Sequence, residues 1–177
     1  MLRLVWTKAA QAVLNGARST DQVTKLQEMS NTLRVAIHKA PSKIELAHWA
    51  FHARVGGFDM IYQVIGGDGE PFEYNEKPTY PERSGSHASN VAVSTNVTKS
   101  IDEMREILKE TKINNADPSY NCQKWVLDGL KNLRSKGAIT EAEYDNAIWH
   151  LNPLAGKKGT KHQTNPRNGL GWAYEPY

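Results

Sequence analysis

Two residues carry the chemistry this sequence can offer, Cys122 and His48. Cys122 is the single cysteine of the 177-residue chain. It starts an apolar series (Cys122, Trp125, Val126, Gly129, Leu130, Leu133) whose spacing is that of one helix face. A thiol in the first turn of a helix meets unpaired backbone N–H groups and the positive end of the helix dipole, which favour a thiolate. Lys124 lies nearby in sequence. The same position on an apolar stripe also suits plain core packing, the commoner use of a lone helical cysteine.

His48 stands in a strand-like run, residues 46–54. Alternation puts His48, Ala50, His52 and Arg54 on one face and Trp49 and Phe51 on the other. The Trp49 face reads as core; the His48 face suits solvent or a site. Residues 58–65 form a second run, and Gly56-Gly57 between them predicts a β-hairpin. With a two-residue turn, Val55 faces Phe58, His48 lies opposite Ile65, and Gln63 is a same-face diagonal neighbour. With a three-residue turn, Tyr62 and Val64 share the His48 face instead. Gln63 could orient the imidazole or donate to an oxyanion; Tyr62 could orient it. Asp59 falls beside Arg54 near the hairpin tip and reads as a surface ion pair.

The elements that must position these residues follow from local signals. Residues 32–39 alternate as a strand that Pro41-Ser42 ends. Residues 66–90, rich in Gly and Pro, read as a long loop, and 90–97 as another strand. Ser100 with Glu103, and Thr140 with Glu143, are capping boxes that open two helices, the second running to about His150. The Cys122 helix starts at Asp117-Pro118 or at Asn121 and ends at Gly137. The first 20 residues form an acid-poor amphipathic helix, read as docking on the domain, with a transit peptide as the alternative. The expected organisation is this helix and linker over 1–30, a single α+β domain over 31–150 with an antiparallel sheet and packed helices, and a Gly/Asn/Pro-rich extension over 151–177.

Composition removes several classes. Hydrophobic residues make up 39% and charged residues 23%, with a mean hydropathy of −0.62. That is polar but not the profile of a disordered chain. No apolar run approaches the length of a membrane span. One cysteine excludes an intrachain disulfide and a cysteine-based zinc cluster, and it fits a reducing, cytoplasmic setting. The net charge of +3 sits in the tail. Residues 151–177 hold Lys157, Lys158, Lys161 and Arg167 against Glu175 alone, which leaves the first 150 residues balanced. Nucleic acid is therefore not an expected partner. The six histidines follow no metal-ligand spacing, so no metal or cofactor is expected. Gly66-Gly67-Asp68-Gly69 lacks the context of a phosphate loop, and Ser84-Gly85-Ser86 is no nucleophile elbow.

Two motifs in order, His48-Trp49-Ala50 on a strand and Asn121-Cys122-Gln123-Lys124-Trp125-Val126 on a helix, resemble the lecithin–retinol acyltransferase family. They are also similar to the wider group of circularly permuted papain-like enzymes, which includes the PPPDE peptidases, and to fungal proteins of similar layout. The likeness spans residues ~44–135 in order and spacing. It implies a permuted papain-like core, with Cys122 as nucleophile at a helix N-terminus and His48 as general base on the sheet. The family also carries a second histidine on the neighbouring strand; this sequence departs there and offers Tyr62, Gln63 or Asp59. The acyltransferases usually have a membrane-spanning C-terminal segment, and this sequence shows none, so a lipid substrate is unsupported.

The leading expectation is a cysteine-dependent hydrolase or acyltransferase acting on a thioester, ester or amide of a small molecule or peptide. Cys122, His48 and Gln63 are the candidate catalytic residues, and Tyr62 and Asn121 the candidate substrate contacts. Backbone N–H groups around Cys122 would hold the oxyanion. The alternatives are an inactive relative that binds a small molecule or protein, and a non-covalent tailoring enzyme such as a cyclase.

Overall fold

A computed structural model describes residues 31–157 except Pro41, Lys43, Ile44 and Asp68. The expected N-terminal helix and most of the basic extension lie outside the described residues. Five strands form one antiparallel sheet: β1 (Thr32–His38), β2 (His48–Val55), β3 (Phe58–Gly67), β4 (Glu70–Lys77) and β5 (His87–Ser94). Their order across the sheet is β4-β3-β2-β1-β5. Among the described residues, three α-helices follow: α1 (Ile101–Lys109), α2 (Cys122–Ser135) and α3 (Glu141–Leu151). The class is α+β, with the helices gathered after the sheet.

The hairpin takes its two-residue form. Val55 pairs with Phe58 and Phe51 with Tyr62. Gly56 and Gly57 both have positive φ, 59° and 83°, as the tight turn between twisted strands demands. That register sends Tyr62 to the Trp49 face and Gln63 to the His48 face.

One face of the sheet carries Leu33, Val35, Ile37, Trp49, Phe51, Tyr62 and Val64, all in the buried core. α1 and α2 pack there against β2 and β3, and α3 packs against β5. Fully buried Phe51 and Leu108 each contribute about 1.5–3 kcal/mol by leaving water. Gly129 of α2 lets the helix approach closely: a Cβ there would lie 2.7 Å from the Phe51 ring.

Residues 66–90 are not the long loop their Gly and Pro content predicts. β3 runs on to Gly67, β4 occupies 70–77, and β5 begins at His87. β4 is an edge strand in which Phe72 and Tyr74 alone supply apolar alternation, so its sequence resembles a polar loop. Asn115 closes part of that edge, its carboxamide bonding both the N–H and the C=O of Phe72 at 2.8 and 3.0 Å.

The segment from β4 to β5 joins opposite edges of the sheet, and its residues contact the second face. Tyr80 stands edge-on to His52, and Glu82 accepts from Arg34 and Asn90. The second face is therefore largely covered rather than solvated: Ala50 and His52 are 0% and 1% exposed.

Local signals set the helix ends. Ser100 and Thr140 each form the reciprocal capping box with the glutamate three residues on. α2 begins at Asn121 rather than at Asp117-Pro118. It ends at Gly137, φ 67°, with Ala138 N–H on Leu133 C=O and Gly137 N–H on Arg134 C=O.

Candidate functional site

The ladder between β2 and β3 stops at Phe51↔Tyr62. Beyond it, His48 of β2 and Gln63 of β3 are joined through side chains, His48 Nε2 to Gln63 Oε1 at 2.9 Å. Gln63 in turn donates from Nε2 to Asn75 Oδ1 at 2.9 Å. Cys122 faces the same imidazole as a second hydrogen-bonding and electrostatic partner. Thiol–imidazole contacts of this kind often tighten only when substrate is bound.

Where Nε2 donates its proton to the Gln63 carbonyl oxygen, Nδ1 is the nitrogen left as a base. Burial works against charge on His48. The contact with Cys122 and the bond to Gln63 outweigh it, and the pKa lies above the ordinary histidine value.

Gln123 braces the pair. Its Nε2 donates to Ala47 C=O at 2.9 Å and its Oε1 accepts from Gly156 N–H at 2.8 Å. One side chain thus ties the start of α2 to the residue before His48. Gln123 is 3% exposed, and its polar atoms are satisfied. Sequence reasoning passed over it, and over Asn75, because a glutamine or asparagine carries no spacing signal.

Two other expected residues are engaged elsewhere. Asn121 Oδ1 accepts from Gln123 N–H and Lys124 N–H at 3.0 and 3.1 Å, the role of a helix N-cap. Those donors are therefore unavailable to an oxyanion, and among the described residues only the Cys122 N–H of this turn has no acceptor. Tyr62 lies on the helix side of the sheet, fully buried, its hydroxyl donating to Ile101 C=O at 2.9 Å. Lys124 bonds Asp117 and Ser119, so its ammonium faces the loop before the helix.

His38, a β1 residue with no assigned role in the sequence reading, is the register partner of His48. Their ring centroids are 5.9 Å apart, and His87 of β5 lies 5.9 Å beyond. His38 Nδ1 bonds Ser86 Oγ at 3.1 Å rather than His48. Burial first, then neighbouring His48, His87 and Lys77, push its pKa down to about 4, so it is neutral at pH 7. No group of three or more His, Cys, Asp or Glu among the described residues is placed to hold a metal ion.

Asp59 does pair with Arg54, bidentately at 2.9 Å for both bonds, but it is half-buried and also holds His52 Nε2 at 2.7 Å.

No family model, curated protein or solved structure matches this chain.

No described helix is long and apolar enough to cross a membrane.

Proposed function

We propose that the protein is a cysteine-dependent hydrolase or acyltransferase acting on a thioester, ester or amide, built on a permuted papain-like core. The observation that carries this reading is the imidazole of His48 set between Gln63 Oε1 and the Cys122 side chain. Nucleophile, base and orienting group then come from α2, β2 and β3 in turn, the general arrangement of an activated thiol.

The reaction runs in two halves. The Cys122 proton passes to His48 Nδ1 as sulfur attacks the carbonyl carbon. The tetrahedral oxyanion meets the Cys122 N–H at the positive end of α2. Collapse breaks the bond to the leaving group, which takes the proton from His48 and leaves an acyl-Cys122 thioester. Water or an acceptor nucleophile then gives its proton to His48 and attacks the thioester. The acyl group departs with it, and the proton returns to sulfur.

Alkylation of Cys122 by iodoacetamide tests the reading without a known substrate. Wild-type protein should react readily near neutral pH, and His48→Ala should slow it by about 100-fold. An unchanged rate in His48→Ala overturns the proposal. Incubation with p-nitrophenyl acetate should add one acetyl group to the intact mass, and Cys122→Ser should remove it.

The second reading is a binding module on the same scaffold. Cys122 is only 8% exposed, and the Asn121 cap consumes two N–H groups that an oxyanion would use. That reading predicts no acyl adduct, and ligand binding that survives Cys122→Ser.

A further inference from the structure

We propose that Asn75, on edge strand β4, is a positioning residue that keeps His48 in the tautomer able to deprotonate Cys122. The inference rests on the Cys122–His48 reading and extends it by one residue, two strands away from His48.

Gln63 and Asn75 are register partners across β3 and β4. The backbone ladder therefore holds their Cβ atoms opposite one another. Gln63 Nε2 donates to Asn75 Oδ1, and Gln63 Oε1 faces His48 Nε2, both at 2.9 Å. Gln63 is 8% exposed, so water does not substitute freely for either partner.

The two ends of the amide decide what His48 can do. A primary amide has an acceptor at one end and a donor at the other, and half a turn exchanges them with little change in shape. With Oε1 toward His48, the ring proton sits on Nε2 and Nδ1 faces the thiol as a free base. With the amide reversed, an N–H faces Nε2, the ring proton moves to Nδ1, and the imidazole presents a donor to sulfur. That form cannot accept the thiol proton. Asn75 Oδ1 takes the N–H end of Gln63 and so leaves the carbonyl end for His48. Glutamine also has three rotatable side-chain bonds, and anchoring its far end removes freedom that would otherwise blur the contact.

The test is the pH profile of Cys122 alkylation by iodoacetamide in five full-length variants. Asn75→Ala should slow alkylation at neutral pH by about tenfold, the scale of lost outer-shell support. Asn75→Asp should restore the lost rate, because a carboxylate can only accept from Gln63. In Gln63→Glu both ends of residue 63 accept, so adding Asn75→Ala should cause no further loss. Thermal melts of the same variants separate loss of fold from loss of positioning. The inference is overturned if Asn75→Ala reacts like wild type, if Asn75→Asp fails to restore the rate, or if Asn75→Ala costs as much in the Gln63→Glu background. His48→Ala, run in parallel, separates the two levels. If it leaves alkylation unchanged, the Cys122–His48 reading falls and takes this inference with it. If it slows alkylation while Asn75→Ala does not, only this inference falls.

Discussion

Strand β2 presents two histidines on one face, His48 and His52, and each meets a residue of β3 through Nε2. His48 meets the neutral amide of Gln63 at 2.9 Å, and His52 meets the carboxylate of Asp59 at 2.7 Å. The partner's charge alone would make His52 the more basic. The opposite holds: burial lowers the pKa of His52 despite Asp59, whereas that of His48 is raised. Burial of His52, with the nearby Arg34 charge, outweighs what Asp59 and Glu82 contribute, and Asp59 is shared with Arg54. His48 gains its stabilisation on the other side, from Cys122. The second partners differ too. His52 Nδ1 is buried with no partner among the described residues, while His48 has Cys122 as a further hydrogen-bonding partner. An orienting partner therefore does not by itself make a histidine a base; what faces its second nitrogen does.

The largest expected contrast comes from truncating each ring. His48→Ala should slow Cys122 alkylation by about 100-fold while changing unfolding free energy by no more than about 1 kcal/mol. His52→Ala should leave alkylation near wild type and cost about 2 kcal/mol in urea unfolding, since it empties a buried site beside Asp59. If both variants lose reactivity and stability together, the two histidines are not distinct in role.

Next in size is the partner swap. Gln63→Leu should slow alkylation by about tenfold, because His48 loses the acceptor that sets its tautomer. Asp59→Asn should leave alkylation unaffected.

The pH dependence of stability should then run in opposite directions. His48, with its raised pKa, contributes stability that is full below the unfolded value of 6.5 and lost as pH rises through its folded value. His52 and His38 are lowered, so stability falls as pH drops below 6.5 and the unfolded chain takes up protons that the folded rings refuse. Denaturation across pH 5–8 should show His48→Ala steepening the rise of stability with pH and His52→Ala flattening it.

The smallest expected effect is on titration alone. Arg54→Met frees the charge of Asp59 and should move the His52 pKa upward, leaving that of His48 in place, as followed by ring-proton NMR.

Much of the framework was legible because its signals are local. The capping boxes at Ser100 and Thr140 satisfy backbone donors three residues away. The stripe from Cys122 to Leu133 names its own buried face. The hairpin was legible except for its register, which two turn lengths left open. β4 escaped because an edge strand buries little and so needs little apolar alternation. Coverage of the His52 face escaped too, since Tyr80 and Glu82 reach it only after the chain passes from one edge of the sheet to the other.

The sequence by itself determined which residues have chemistry to offer, the capping-box starts of α1 and α3, the end of α2 at Gly137, and that a Gly-Gly turn joins β2 to β3. These depend on side-chain type and on contacts within a few residues. Only the tertiary structure decided that Gln63 rather than Tyr62 meets His48, that His38 lies across from it, and that Asn121 caps its helix. It also decided that Gln123 ties the Cys122 helix to the start of β2. A slip of one residue in a strand exchanges its faces, and a capping side chain can hold two donors or none. Such choices are made by packing across the sheet, which no stretch of sequence contains alone.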